Sequence, residues 1–142
     1  MSESCIFCRI IRGEIPSHKI YEDERTLAFL DIHHSALGHT RIIPNAHECR
    51  IEDLREEDTA ALCGIVPRLV AGIQKAMAAP ASSVGINNGP ESGQEIPHVH
   101  IHVIPRNRGD RGGIMQGLVR TTERPSDEEL RNIAERIKEK VG

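Results

Sequence analysis

His98-Val99-His100-Ile101-His102-Val103-Ile104 alternates imidazole and aliphatic side chains up to Pro105. A period of two is the mark of a β-strand. It predicts a fifth strand over His98–Ile104, with the three histidines on one face, roughly 6.5–7 Å from one to the next. Val99, Ile101 and Val103 then point to the other face and a core. Three imidazoles in a row are poor packing material. They suit attack, proton transfer or coordination, because imidazole changes protonation near neutral pH and the neutral ring is a nucleophile. One ion held by all three fits a strand badly. The outer two lie roughly 13–14 Å apart, whereas a zinc-ligating nitrogen stands about 2 Å from its ion.

Working outward, Cys5 to Arg12 reads as a short helix closed by Gly13, with Cys5 and Cys8 on one face. Lys19–Tyr21, Thr26–Asp31, His39–Ile43 and Ser83–Asn87 read as strands one to four. Glu56 to Met77 predicts one long helix, kinked at Pro67, whose core face carries Ala60, Cys63, Val66, Leu69, Val70 and Ile73. Gly89-Pro90 and Gly93 mark a loop, and Asn107 to Gly113 is a second loop rich in Gly and Arg. Ser126 with Glu129 forms a capping-box pattern that opens a last helix carrying Leu130, Ile133, Ile137 and Val141. This order of elements predicts an α+β fold.

The chain has 142 residues, 38% hydrophobic and 27% charged, enough for one compact domain with a core. It has no Trp, so aliphatic side chains must fill that core. A net charge of -3 argues against sequence-independent binding to long nucleic acid, which needs a broad basic surface. A small phosphorylated ligand needs only a local positive spot. No apolar run approaches the roughly 20 residues of a membrane helix, and Met1-Ser2-Glu3-Ser4 lacks the pattern of a secretion signal. The expected compartment is the cytoplasm, where the four cysteines are thiols or metal ligands. Cys5-Ile6-Phe7-Cys8 by itself reads either as a redox pair or as half of a tetrahedral zinc site. Cys63 is expected on the core face of its helix and Cys49 near the surface.

The run from His98 to Ile104 is a full match to the His-φ-His-φ-His-φ-φ pattern, with φ apolar. With Ala28-Phe29-Leu30-Asp31, Gly38-His39-Thr40 through Ile43-Pro44, and Asn87 through Gly93-Gln94, the sequence resembles the histidine triad family of nucleotide hydrolases and transferases. The likeness covers roughly residues 5–106. It implies a single domain over 1–142, with a core at about 5–106 and a C-terminal loop and helix over 107–142. The implied fold is a five-stranded antiparallel sheet with a long helix, a short N-terminal helix and a C-terminal helix. The sheet is expected to continue across a homodimer.

The resemblance also implies roles. His100 attacks an α-phosphate and forms a nucleotidyl-histidine, which water or another acceptor resolves. His102 hydrogen-bonds phosphate and leaving group, and a histidine rather than a glutamine there leans towards hydrolysis. His39 supports the triad from a neighbouring strand. Ile6, Phe7, Phe29 and Leu30 line a base pocket, and Asp31 takes the ribose hydroxyls. Asn87 touches ribose or phosphate, and Gly93 and Gln94 offer amides to phosphate oxygens. A zinc-containing branch of the family has the same N-terminal cysteine pair. By that likeness Cys5, Cys8, His47 and His98 hold a structural Zn2+, so His98 serves as ligand as well as triad member.

The implied activity is hydrolysis of a purine nucleotide derivative, most like a nucleoside phosphoramidase. A dinucleoside polyphosphate hydrolase is the alternative within the family. Outside it stand a nucleotide-binding or interaction protein with incidental catalysis, and a zinc hydrolase using the triad as ligands. Glu95 follows Gln94 where the family often has a small hydroxyl residue, and a carboxylate there repels phosphate unless it is turned away or paired. His33 and His34 read as solvated loop residues. Arg106, Arg108 and Arg111 are candidates for contact with further phosphates.

Overall fold

The computed structural model describes residues 2–142, in two compact units: one runs to Gly112, the other spans Gly113–Gly142. The first begins with helix α1 (Ile6–Ile11) and strands β1 (Lys19–Glu22), β2 (Thr26–Leu30) and β3 (Thr40–Pro44). Helices α2 (Glu56–Gly64) and α3 (Val66–Ala76) follow, then β4 (Ala81–Gly85) and β5 (Ile101–Arg106). The five strands form one sheet in the order β1-β2-β3-β5-β4, every neighbouring pair antiparallel. The predicted five-stranded α+β architecture is therefore present.

Both faces of the sheet are covered, which is why β2 reads as an almost unbroken apolar run. Ala28, Ile42, Ile101 and Val103 pack with Leu62 of α2 and with Leu69 and Ile73 of α3. Their neighbours along the strands, Leu27, Phe29 and Ile43, pack on the opposite side with Phe7, Cys8 and Ile10 of α1. Successive side chains thus serve two separate cores.

The expected long helix is two. α2 ends at Gly64, and α3 starts afresh with Pro67 in its first turn, where a missing N–H breaks no helical bond. The register of α2 also differs from the expectation. Leu62 and Asp58 are buried, whereas Ala60 and Cys63 are exposed. Asp58 is held by Arg25 at 2.7 Å and by Arg55 at 3.2 Å, so a polar side chain occupies an inward position that hydrophobic periodicity cannot reveal.

The histidine-bearing stretch also departs from the predicted strand. Ladder pairing begins at Ile101, not His98, and runs through Pro105 to Arg106. Ahead of Ile101 the Val99 amide donates to the Glu48 carbonyl at 2.8 Å, and two rings add to it: the Pro44 carbonyl accepts from the His98 ring at 2.8 Å, and the His98 carbonyl from the His100 ring at 2.7 Å. Pro105 is tolerated because the β3 partner of β5 ends at Val103, so the proline faces only β4 and lacks no ladder donor on the other side. Gly38 makes the sharp entry into β3. Its φ is +88°, and a Cβ there would meet Met77 Cγ at 2.5 Å.

The second unit contains α4 (Asp127–Val141). The predicted capping box is formed: Ser126 Oγ accepts from the Glu129 amide at 3.2 Å, and the Glu129 carboxylate from the Ser126 amide at 2.6 Å. Leu130, Ile133, Ile137 and Val141 form an exposed apolar stripe along it. Among the described residues no helix is long and apolar enough to cross a membrane.

Candidate active site

Four hydrogen bonds fix the tautomers of His39 and the three triad histidines. A backbone carbonyl can only accept, so the ring nitrogen facing it carries the proton. His98 Nε2 donates to the Pro44 carbonyl, which leaves Nδ1 with a free lone pair. His100 Nδ1 donates to the His98 carbonyl, which leaves Nε2 with a free lone pair. His39 Nδ1 accepts the Ser35 amide at 3.0 Å, so its proton sits on Nε2 and is donated to His102 Nδ1 at 2.9 Å. His102 then carries its own proton on Nε2. The ring centroids of His100 and His102 are 4.8 Å apart. A lone pair and an N–H donor thus stand side by side, as an attacking group beside an anion-stabilising donor must.

The electrostatics keep these rings neutral. Burial pushes His102 down to about 4, aided by His100, His39 and Arg41. Burial likewise lowers His100, with Arg41 adding to it. His39 is lowered by burial too, against the pull of Asp31. Phe7 packs edge-on to His100 with centroids 5.2 Å apart and to Phe29 at 5.6 Å. α1 therefore forms one wall beside His100.

Asp31 lies at the end of β2 and is buried. Its Oδ1 accepts the His33 amide at 2.8 Å, and its Oδ2 accepts Arg41 Nε at 2.7 Å. Burial alone would raise its carboxyl, but the His33 amide and the Arg41 guanidinium outweigh it and hold Asp31 below the ordinary carboxylate value. Arg41 is opposite Phe29 on one side and His102 on the other. Its guanidinium carbon lies over the Phe7 ring, 5.5 Å from the centroid. Sequence reasoning treated Arg41 as an ordinary strand residue. The available signal was its alternation with His39 and Ile43, which gives it the parity of a functional face.

The expected pocket residues do not all meet. Phe7 and Phe29 are buried side by side and Ile6 is exposed. Leu30 belongs to a different surface: it lines an open, mostly apolar groove with Tyr21, Gly38 and Met77 against α3. The strand alternation that places Phe29 next to Phe7 turns Leu30 away. Gln94 braces its loop against the segment at Cys49. Its amide nitrogen donates to the Cys49 and Ile96 carbonyls at 2.7 and 3.1 Å, and its oxygen accepts the Gly89 amide at 2.7 Å. Its side-chain amide is therefore committed away from any phosphate. Asn87 follows β4, whose Gly85 pairs with His102, and its Nδ2 is the side-chain atom nearest the open side of Gly93, at 4.0 Å. Glu95, His33 and His34 are exposed.

A second constellation lies behind the triad. Cys5 Sγ is 3.5 Å from His98 Nδ1, Cys8 Sγ is 3.7 Å from it and 3.3 Å from His47 Nδ1, and the two Nδ1 atoms are 3.2 Å apart. Tetrahedral zinc with ordinary bond lengths sets sulfur and nitrogen ligands about 3.5 Å apart and two nitrogens about 3.3 Å apart. The four donors thus fit one closed tetrahedral ion. The His98–Pro44 bond supplies the tautomer that such a ligand needs. Asp31, His39 and His102 also converge. There the donor atoms already face one another and Arg41 in the bonds described, so hydrogen bonding accounts for the group.

The sequence matches the HIT domain family over residues 12–109. The chain belongs to the HIT family. It is 37% identical over 141 residues to the hit protein of Bacillus subtilis, covering 99% of this chain and 96% of that one. It is 40% identical to the adenosine 5′-monophosphoramidase HNT1 of Saccharomyces cerevisiae over 82% of this chain and 71% of the yeast protein. The solved structure of SMU.412c from Streptococcus mutans superposes with a TM-score of 0.91 at 34% identity, over 100% of this chain and 88% of that one.

Proposed function

We propose that this HIT protein is a nucleotidyl hydrolase that attacks the α-phosphate of a purine nucleotide derivative through His100, with phosphoramidates as the preferred substrate class. The observation that carries the reading is the bond from His100 Nδ1 to the His98 carbonyl, which presents Nε2 as an oriented, neutral nucleophile. The Nε2 lone pair forms a bond to phosphorus as the bond to the leaving nitrogen breaks. His102 Nε2–H hydrogen-bonds the phosphate oxygens, and the departing nitrogen takes up a proton from water as its bond to phosphorus breaks, a proton returned to solvent when the second water attacks. Water then attacks phosphorus and releases the nucleotide, returning His100 to its neutral form. The yeast relative's name supports the phosphoramidate class.

Cys5, Cys8, His47 and His98 are proposed to hold Zn2+. When bound, the ion supplies a closed structural cross-link with no open coordination position for substrate. Burial raises the Cys8 thiol, so its thiolate needs a cation nearby. A homodimer is proposed as well, with an edge strand, β1 or β4, offering the open ladder for a continuous sheet.

The test compares turnover of adenosine 5′-phosphoramidate and of a dinucleoside polyphosphate, with His100→Ala and His100→Asn as controls. Faster phosphoramidate turnover, abolished in both variants, is the expected result. Full activity in either variant overturns the assignment of the nucleophile, and faster cleavage of the polyphosphate overturns the substrate class.

A further inference from the structure

Arg41 is the one charged side chain packed among the triad, Asp31 and Phe7 for which the hydrolytic steps supply no task. Its guanidinium is fixed from two directions, by Asp31 Oδ2 on Nε at 2.7 Å and by the Phe7 ring beneath its central carbon. An arginine that merely neutralises a buried carboxylate usually engages it with the two-pronged fork, through two parallel bonds. Here only Nε touches Asp31. The terminal nitrogens make no hydrogen bond to the protein among the described residues, while the side chain is 17% exposed, at the edge of the site.

Asp31 retains capacity of its own. A carboxylate has about four lone-pair sites, and only the His33 amide and Arg41 Nε are hydrogen-bonded to it among the described residues. An acceptor and a set of unused donors therefore lie side by side. A hydroxyl is the group that matches this pair, because it donates and accepts at once. A carbon–hydrogen position matches neither partner, and it leaves both the carboxylate and the guanidinium unmet in a half-buried site.

We propose that Arg41 is a specificity-determining residue which, with Asp31, forms a donor–acceptor pair that reads a ribose hydroxyl and rejects the corresponding deoxynucleotide. The inference rests on the nucleotide reading above. The hydroxyl donates to Asp31 and accepts from a terminal nitrogen of Arg41, so its loss removes two charge-assisted bonds at once.

Calorimetric binding of AMP, 2′-deoxy-AMP and 3′-deoxy-AMP to the full chain tests this without any hydrolysis. The unaltered protein is expected to bind AMP about 30-fold more tightly than one of the two deoxynucleotides, a ratio in keeping with the loss of charged hydrogen bonds. In Arg41→Leu that ratio falls to about threefold, with Arg41→Lys between them, as a point donor replaces the fork. The phosphoramidates of the same nucleosides should show the difference in KM rather than kcat. Thermal melting checks that each variant is folded, and the ratio within one variant cancels any general loss of affinity. An unchanged ratio in Arg41→Leu, or no discrimination by the unaltered protein, overturns the proposal while leaving the hydrolase reading intact. Absence of AMP binding by the unaltered protein overturns both.

Discussion

His39 Nε2 donates to His102 Nδ1 across 2.9 Å, and the Ser35 amide locks the far side of the same ring. His39 therefore acts through His102, by fixing which of its nitrogens carries the proton. His39→Ala is expected to lower kcat about 10–100-fold, the cost typical of losing a partner that orients a functional histidine, with KM little changed. His39→Gln retains an amide donor and should recover part of the loss. Equal effects on kcat and KM in steady-state kinetics would count against this role.

The pH behaviour follows from the direction of the shift at His102. Its folded value, about 4, lies below the 6.5 of a free histidine. Between those values the unfolded chain takes up a proton that the folded chain refuses. Stability is therefore lost as pH falls from 6.5 towards 4, and the loss is complete below the folded value. Melting temperature measured across this window should fall more steeply for the unaltered protein than for His102→Gln. The acid limb of kcat against pH is expected below about pH 5. A limb centred near 6.5 would refute a neutral, buried His102.

Metal content tests the cluster behind the triad. The unaltered protein is expected to bind about one zinc per chain, and Cys8→Ser to bind far less. If the site contributes about 3 kcal/mol, its loss lowers Tm by roughly 10 °C. Mild chelation should leave turnover in place, because the closed set gives substrate no coordination position. Rapid loss of rate, restored by added metal, would instead make the ion catalytic.

The register of α2 is open to a direct check. Leu62 is fully buried, and Leu62→Ala should cost about 2–5 kcal/mol in chemical denaturation. Cys63 is exposed, so Cys63→Ala should stay within about 0.5 kcal/mol. Equal costs would mean that the helix presents a different face.

Much of this was legible in the alternation around His100, because a period of two survives even where the ladder does not. Val99, Ile101 and Val103 are buried as that pattern demands. The capping box at Ser126 was legible for a similar reason: it is a local pattern with a local cause. What escaped was set by partners distant in sequence. Asp58 turns inward only because Arg25 and Arg55 meet it. Gln94 turns to the backbone because the distant Cys49 carbonyl, with Ile96 and Gly89 nearby, claims its amide. Arg41 becomes part of the site through Asp31 and Phe7, neither of which is near it in the chain. Leu30 was misjudged by grouping it with Phe29 and neglecting that neighbours on a strand diverge.

The triad's first member has its imidazole among sulfur and nitrogen donors, while its peptide oxygen steadies the His100 ring. Mutational scanning will therefore give His98 a misleading signature. Its replacement should silence the enzyme as thoroughly as loss of the nucleophile, yet by loosening a scaffold rather than by removing a reacting atom. Engineers wishing to retune this chemistry must therefore leave position 98 alone and read its variants by metal content and melting as well as by rate.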